Sequence, residues 1–275
     1  MRLRDIAGKE CGWLQERDSH AGIVLSSRIR LARNLAGFAF PRRAREEELN
    51  RIRENIFSTA AHSSYLKGSQ FLKLEELSPV DRLLLMERHL VSYEHARGET
   101  GRGLIIGDKE LVSVMINEED HIRLQGMEAS FQLYEVWQIL SQIDNELEKY
   151  MRYAFSYQWG YLTACPTNVG TGMRASVLMH LIGLELTERI NQVLEALNKV
   201  GVVARGFYGE GTNVMGNLFQ ISNQVTLGLS EETIINGLEG VVKKVIDSEE
   251  KARLSLWKKA RGNTEDMVYR AWGIL

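Results

Sequence analysis

The alternation of apolar and polar residues along the chain predicts a protein with helices and strands in mixed order. Apolar residues recur at helical spacing in the segment 127–151, where Leu133, Trp137 and Leu140 share one face. Period-two alternation, which is typical of a half-buried strand, marks segments such as 23–31 and 121–125. The predicted helices are 43–60, 127–151, 173–183, 185–198 and 231–260. The predicted strands are 23–31, 70–74, 103–107, 111–117, 121–125, 157–163, 201–208 and 217–223.

The connections between three of these strands are short. Segments 103–107, 111–117 and 121–125 follow one another with only a few residues between them. A crossover between parallel strands needs about a dozen residues or more, so these three strands must form an antiparallel meander. The predicted fold class is therefore α/β in the α+β sense, with a largely antiparallel sheet flanked by helices.

Composition narrows the class of protein. With 275 residues and 44% hydrophobic content, the chain can bury a sizeable core. The net charge of −2 gives no overall sign of direct nucleic-acid binding, so any cationic site must be local. The two cysteines, Cys11 and Cys165, form no CxxC pair, which favours a reducing compartment. No run is apolar enough to suggest a membrane span, and we expect a cytoplasmic protein.

Two predicted strands place charged side chains on one face. In 121–125, alternation puts His121, Arg123 and Gln125 together, and one step back Glu119 joins them. In "VLSSRIRLARN", Ser26, Arg28 and Arg30 alternate with apolar residues. Taken alone, each pattern also fits a solvated strand face. Like charges stacked along one face repel each other, however, unless an anion lies between them.

The segment "CPTNVGTGMRASVLMH" (165–180) predicts a further anion site. Gly170 and Gly172 free the backbone, and an apolar helix is predicted to start near Arg174. The N–H groups at a helix N-terminus, together with Arg174, would hold an anion. The same residues match the dinucleotide pattern GxGxxA, but the insertion Cys165–Asn168 between strand and glycines is wrong for that fingerprint, so we reject a dinucleotide site.

The segment "VVARGFYGEGTNVMGN" (202–217) combines Arg205 with a glycine-rich stretch around Glu210. It fits either a flexible hairpin loop or a mobile flap that brings a carboxylate over a ligand. Several arginines on strand faces indicate a polyanion, for which a nucleoside triphosphate is the natural candidate. No GxxxxGK[ST], HRD or DFG motif occurs, which excludes a P-loop enzyme and a typical protein kinase. The carboxylates of Glu119 and Glu210 suit a cationic acceptor.

Five segments in order resemble the ATP:guanido phosphotransferases, most closely the bacterial protein-arginine kinase branch. They are "VLSSRIRLARN", "INEEDHIR", "CPTNVGTGMRASV", "RGFYGEGTN" and "LFQISNQVTLGLSE". The resemblance implies an eight-stranded antiparallel sheet flanked by helices, with ATP and Mg²⁺ as cofactors. It implies a kinase that transfers the γ-phosphoryl group of ATP to the guanidino group of arginine residues in proteins.

The resemblance also implies the site residues. Glu119 and Glu210 would be catalytic carboxylates, and Cys165 would be the family's active-site cysteine. Cys165 also fits a purely structural role, as a small buried residue before a proline. The implied ATP contacts are Ser26, Ser27, Arg28, Ile29, Arg30, His89, Arg123, Arg174, Ala175, Ser176, Val177, Leu178, Arg205, Gly206, Phe207, Tyr208, Gly209 and Glu210.

Domain organisation and partners follow from the same resemblance. Residues 1–255 would form the catalytic domain, and residues 256–275 the start of a truncated C-terminal helical region, so we expect a monomeric or only weakly associated protein that is insensitive to phosphoarginine. The implied partners are protein substrates with exposed arginine, a zinc-containing activator and a Clp-type protease system. A small-guanidine (free arginine) kinase and a weakly active regulatory ATP-binding remnant stay open as alternatives.

Overall fold

A computed structural model of the protein describes residues 8, 10–14, 20, 22–98, 100–206 and 215–274. Its centre is an antiparallel sheet of eight strands in the order β2-β3-β4-β5-β1-β8-β10-β9. A two-stranded hairpin, β6-β7, lies outside it. The strands are β1 Val24–Arg33, β2 Gln70–Lys73, β3 Gly103–Ile106, β4 Val112–Ile116, β5 Ile122–Ala129, β6 Phe155–Ser156, β7 Gly160–Tyr161, β8 Met173–His180, β9 Val202–Gly206 and β10 Leu218–Asn223. The predicted meander and the predicted eight-stranded antiparallel sheet are confirmed.

The α-helices of the described residues flank this sheet. They are α1 Glu46–Ala61, α2 Pro79–Glu87, α3 Tyr93–Ala96, α4 Leu133–Glu148, α5 Ile182–Leu186, α6 Ile190–Lys199, α7 Glu231–Lys259 and α8 Arg261–Ile274. The apolar stripe of α1 is buried as its spacing predicts, with Ile52 and Ile56 inaccessible to solvent. Ser78 caps the N-terminus of helix α2: its side chain accepts from the Asp81 N–H in a capping box, and Pro79 is in the first turn.

The core lies on one face of the sheet. Ile29 of β1, Leu124 of β5 and Val177 of β8 are fully buried there, against residues of α4 and α7 such as Leu140 and Val242. A smaller apolar cluster covers part of the opposite face, where residues of α2 and its flanks pack on β3 and β4. The rest of the opposite face is left for polar side chains, and this arrangement positions the site.

The prediction of a helix at 173–183 is wrong, because residues 173–180 form the strand β8 between β1 and β10. Methionine, alanine and leucine are good helix formers, which made the segment look helical. Pairing on both sides decides the conformation instead, since Met173, Ala175 and Val177 alternate into the core as a central strand requires. The predicted anion seat at a helix N-terminus before Arg174 is therefore also wrong.

Three other predicted elements have different bounds. The helix predicted at 127–151 starts only at Leu133, because β5 extends to Ala129. The strand predicted at 157–163 is instead the short hairpin β6-β7. The helix predicted at 185–198 is divided into α5 and α6 by a break at Glu188, whose φ is +57°.

The C-terminal part of the described chain is helical. Helix α7 runs through the predicted domain boundary at 255, and Ala252 is the last residue of α7 that is buried. Helix α8 buries none of its residues. In the part of the chain that the structure describes, no helix combines the length and the apolar character that crossing a membrane requires.

Candidate active site

The predicted arginines meet on the face of the sheet opposite the main core. Residues directly opposite one another in neighbouring strands point to the same side of a sheet. Arg30 lies opposite Arg174 in β8, and Ala32, two residues on, lies opposite Arg123 in β5. This register, continued through β10 to β9, defines what we call the arginine face: Arg28, Arg30, Arg123, Arg174 and Arg205.

The arginine face concentrates positive charge. Burial lowers the pKa of Arg28 to about 10, and the charge of Arg174 adds to this effect. Burial, followed by the charges of Arg28, Arg123 and Arg174, lowers the pKa of Arg30 well below its ordinary value. Among the described residues, no carboxylate forms an ion pair with Arg28, Arg30 or Arg174. Such a cluster is stabilised when a polyanion neutralises it.

A recess opens beside these arginines. A cavity of about 300 Å³ is lined by Arg28, Arg30, His89 and Gln125, among others. The wall at His89 is fixed, because Gln125 Nε2 donates to its carbonyl oxygen at 2.7 Å and the residue has a φ of +57° just after α2. Burial lowers the pKa of His89, and the charge of Arg28 lowers it further. The recess has the size and the cationic wall that a nucleotide requires.

The structure brings together only alternate members of the two predicted ATP-contacting runs. Ser26, Arg28 and Arg30 in β1, with Arg174, Ser176 and Leu178 in β8, share the arginine face. The side chains of Ser27, Ile29, Ala175 and Val177 are buried on the other side of the sheet. Because a strand turns each successive side chain to the opposite face, these four side chains cannot reach a ligand on the arginine face. The ATP contacts predicted for these four residues stay a prediction, and in this geometry their backbone atoms would make them.

The acidic turn after β4 holds Arg123. Arg123 Nη2 lies 2.9 Å from Glu119 Oε2, and Arg123 Nη1 is paired with Glu118. Glu118 is buried and also accepts from the Ser92 hydroxyl, whereas the Glu119 side chain is one-third exposed. Glu118 therefore anchors Arg123, and Glu119 is the carboxylate of the pair that a ligand can reach.

His121 does not take part in this face, contrary to the alternation argument. It is fully buried between Phe38 and Phe40. Its Nδ1 accepts from the Leu35 N–H and its Nε2 donates to the Ala39 carbonyl, each at 3.0 Å. Burial lowers its pKa. His121 is therefore a neutral structural residue that fixes the turn before β5.

Asp120 ties the acidic turn to the segment that contains Cys165. Its Oδ1 accepts from the Ala164 N–H at 2.7 Å and from Asn34 Nδ2 at 2.6 Å. Burial raises the pKa of Asp120, although both hydrogen bonds act in the opposite direction. Cys165, which follows Ala164, is half-buried, and its Sγ lies 3.0 Å from Thr167 Oγ1. The structure thus brings Glu119 and Cys165 to the same end of the sheet.

The flap residues are only partly described. Arg205 is exposed on β9, and Gly206 ends that strand opposite Phe219. The predicted site residues Phe207, Tyr208, Gly209 and Glu210 lie outside the described residues.

Sequence reasoning missed two residues near the site. Glu118 lies in a run of three acids, of which Glu118 and Asp120 are buried and Glu119 is partly exposed, and no pattern in the sequence distinguishes them. Trp13 lines a small recess with Arg28, Ser176 and His89, and its ring meets that of His89 edge-on at 5.3 Å. A single tryptophan near the N-terminus gives no sequence signal for such a position.

The donor set for a metal ion is sparse. In the described ranges, no group of three or more histidine, cysteine or carboxylate side chains could hold a metal. This fits Mg²⁺ that arrives with nucleotide phosphates, because Mg²⁺ keeps several waters and commonly needs only one or two protein carboxylates.

Comparison with known proteins agrees with this geometry. The family model described as "ATP:guanido phosphotransferase, C-terminal catalytic domain" matches residues 50–252. The chain is 44% identical to a protein-arginine kinase of Halothermothrix orenii, over 100% of this chain and 79% of that protein. It is 47% identical to a protein-arginine kinase of Halalkalibacterium halodurans, over 96% of this chain and 74% of that protein.

Solved structures show the same fold. Lombricine kinase matches with a TM-score of 0.76 and 27% identity, over 92% of this chain and 72% of that one. The substrate-free duplicated taurocyamine kinase from Schistosoma mansoni matches with a TM-score of 0.74 and 28% identity, over 88% of this chain and 35% of that one. The extent of the family match and the level of identity to these relatives lead to one conclusion: the chain belongs to the ATP:guanido phosphotransferase family.

Proposed function

We propose that this protein transfers the γ-phosphoryl group of ATP to the guanidino group of arginine residues in proteins. The single observation that supports this most is the arginine face: Arg28, Arg30 and Arg174 have no carboxylate partner among the described residues, and Arg123 of the same face pairs with the reachable carboxylate of Glu119. A polyanionic donor on the arginine face and a cationic acceptor at Glu119 would meet where the two adjoin. The similarity to protein-arginine kinases points to arginine side chains of proteins as the acceptors.

The ATP phosphates would lie on the arginine face. Arg28, Arg30 and Arg174 would neutralise them through charge-assisted hydrogen bonds, which are the strongest that side chains offer. The base and ribose would occupy the recess beside His89. Bound with ATP, Mg²⁺ would supply further neutralisation of charge on the transferring phosphoryl group. We also propose that Arg205, Gly206 and the flap residues 207–210 close over the nucleotide.

The acceptor would bind at Glu119. A guanidinium is a poor nucleophile because it is protonated, with a pKa above about 12. Glu119 would orient it and accept a proton from the attacking nitrogen, while the N–P bond forms and the bond from the γ-phosphorus to the ADP oxygen breaks. Glu119 now pairs with Arg123, and the incoming guanidinium would replace that contact. Arg123 would stay in place because Glu118 still holds it.

Two further roles extend this proposal. Glu210 would be a second carboxylate clamp on the acceptor. Cys165, tied to the acidic turn through Ala164 and Asp120, would lie beside the acceptor and help to position it. By family resemblance, a zinc-containing activator, a Clp-type protease system and a cytoplasmic setting belong to the same proposal.

Mass spectrometry of an unfolded protein after incubation with Mg-ATP tests the function. We expect phosphorylation on arginine, which is labile in acid, when samples are handled at neutral pH. A matched substrate with every arginine replaced by lysine should stay unmodified, because a single ammonium cannot occupy two carboxylates in planar geometry. Free arginine as the better acceptor would contradict the protein specificity, and phosphoserine without phosphoarginine would contradict the reaction.

A further inference from the structure

The hairpin β6-β7 exposes an unusual number of aromatic rings. Phe155 is 51% exposed, Trp159 is 49% exposed, and Tyr157 at the turn is fully exposed. We call residues 155–161 the aromatic hairpin. Rings this exposed on a short element commonly mark a binding surface.

The aromatic hairpin is held in a fixed position. The Phe155 and Tyr161 rings meet edge-on with centroids 5.2 Å apart. Arg33 lies 3.5 Å from the centroid of the Tyr161 ring and is itself held by Asp144 at 2.7 Å. Gly160 has a φ of +74°, and a Cβ there would lie 2.4 Å from the Gly170 carbonyl oxygen, so only glycine allows this close approach.

A cavity beside the aromatic hairpin has the lining that binds cations. It measures about 240 Å³, and its walls include Phe155, Trp159, Tyr161 and the carboxylate of Glu231 in the first turn of α7. No described basic side chain forms an ion pair with Glu231. Aromatic faces attract cations through the ring quadrupole, and a carboxylate adds charge and hydrogen-bond acceptors. The Tyr161 ring already contacts Arg33, so Phe155, Trp159 and Glu231 are the groups of this cavity that suit a further cation.

This cavity lies within reach of Glu119 along one short segment. Tyr161 and Ala164 are three positions apart, with Leu162 and Thr163 between them, and the Ala164 N–H donates to Asp120 next to Glu119. A chain of that length spans at most about 11 Å, so the cavity lies on the order of 15 Å from Glu119. An extended substrate needs about four to five residues to cover that distance.

We propose that the cavity binds a second arginine side chain of the protein substrate, about four to five residues from the arginine that is phosphorylated. The inference rests on the proposed function and adds a substrate-selecting subsite to it. An arginine fits better than a lysine, because a planar guanidinium stacks on aromatic faces and pairs with a carboxylate through two hydrogen bonds. A folded substrate would seldom offer two arginines on one extended segment, so the subsite selects unfolded chains.

Peptide kinetics test the proposal. One peptide has a single arginine; three others carry arginine, lysine or glutamine as a second residue five positions away, and fragment spectra locate the phosphate. We expect Trp159→Ala and Glu231→Gln each to raise KM for the two-arginine peptide by about three- to thirtyfold. KM for ATP and for the single-arginine peptide should not change. The matched controls are Trp257→Ala, which also removes a half-exposed tryptophan, and Glu232→Gln, the exposed neighbour in the same helical turn.

Calorimetric binding of the same peptides separates this inference from the proposed function, because binding does not require transfer. Tighter binding of the two-arginine peptide to the wild type, lost in Trp159→Ala and Glu231→Gln alone, supports the subsite. Equal binding of the arginine and glutamine peptides overturns it. A lower melting temperature of Glu231→Gln with unchanged peptide affinity would also overturn it, since Glu231 would then only stabilise the start of α7.

Discussion

Two groups of arginines in this protein occupy opposite environments. Arg33 and Arg88 are buried and paired: Arg33 with Asp144 at 2.7 Å, and Arg88 with Glu110 at 2.7 Å. Burial lowers the pKa of Arg33, but the charge of Asp144 and its hydrogen bond, together with Tyr161 and Tyr153, more than offset this, and the pKa of Arg33 is raised. On the arginine face, burial and neighbouring cations act in the same direction, and the pKa of Arg30 falls well below its ordinary value.

This difference indicates that the paired arginines stabilise the fold and that the arginine face binds a ligand. A paired buried arginine is part of the folded structure, and removing it leaves a buried carboxylate without a partner. A cluster of arginines without carboxylate partners in the described ranges opposes folding through repulsion, and a bound polyanion would relieve that repulsion. Arg123 stands between the two groups, because its pairing with Glu118 is buried and its pairing with Glu119 is open to exchange.

The largest expected effect is on phosphotransfer, and it should come from replacing Glu119, whose contact with Arg123 a substrate can displace. We expect Glu119→Gln to reduce phosphotransfer by about 10²–10⁴-fold, which is typical of a residue that orients or accepts a proton. ATP affinity and melting temperature should stay close to wild type, because Glu118 still holds Arg123. Steady-state kinetics with a melting curve check this, and near-normal turnover would remove Glu119 from the mechanism. Glu118→Gln is the companion variant, and its main effect should be on stability.

Breaking a pair of the first group should cost stability. We expect Arg33→Ala to lower the free energy of unfolding by about 3–5 kcal/mol, because Asp144 would stay buried without its partner. The double variant Arg33→Met/Asp144→Leu should recover much of this loss. Urea unfolding measures both. If Arg33→Ala is as stable as wild type, the Arg33–Asp144 pair does not stabilise the fold.

Removing an arginine of the arginine face should weaken ATP binding and leave stability unchanged. We expect Arg28→Ala and Arg174→Ala each to lose about 1.5–3 kcal/mol of ATP binding free energy, with no loss of stability in the absence of ATP. Arg261→Ala, which removes an exposed arginine of α8, is the control. Calorimetric titration with Mg-ATP is the measurement. Unchanged affinity in both face variants would refute the arginine face as the phosphate site.

A smaller effect is expected from Glu210, which would offer a carboxylate to an arginine from outside the chain. Glu210→Ala should raise KM for the protein acceptor by roughly tenfold through loss of one charge-assisted contact. KM for ATP should hardly change. Kinetics that vary each substrate separately distinguish the two. An effect on ATP alone would assign Glu210 to the nucleotide.

The smallest expected effect is a titration shift of His89. Its pKa is lowered by burial and then by Arg28, and phosphates on the arginine face would offset the charge of Arg28. ATP should therefore raise the pKa of His89, and ATP should bind more tightly as the pH falls through that range. NMR titration of the histidines measures this, with His180 as the internal control, because burial and then the charge of Arg253, which is not part of the arginine face, lower its pKa. A further fall in the pKa of His89 on adding ATP would contradict the binding of the phosphates on the arginine face.

Much of the arginine face could be predicted from the sequence, because period-two alternation assigns Arg28, Arg30 and Arg123 to one side without knowledge of the neighbours. The antiparallel order of β3, β4 and β5 could also be predicted, since their connections exclude a crossover. Both inferences depend only on local geometry.

The parts that failed depend on contacts between distant segments. The run at 173–180 has good helix formers, and only pairing with β1 and β10 makes it a strand. His121 lies on the predicted polar side, but Phe38 and Phe40 cover it. Glu118, the buried one of Glu118 and Glu119, accepts from the hydroxyl of Ser92, 26 residues away along the chain. No periodicity within a single segment contains that information.

Phosphorus NMR of a reaction with Mg-ATP and an arginine-containing unfolded protein tests the central claim most directly, because it reports the donor, the product and the new bond together. The account predicts that an N–P resonance grows in step with ADP, one for one, and that neither forms beyond background with Glu119→Gln. Release of ADP with inorganic phosphate and no N–P resonance would contradict it, since the protein would then hydrolyse ATP without transferring its phosphoryl group to arginine.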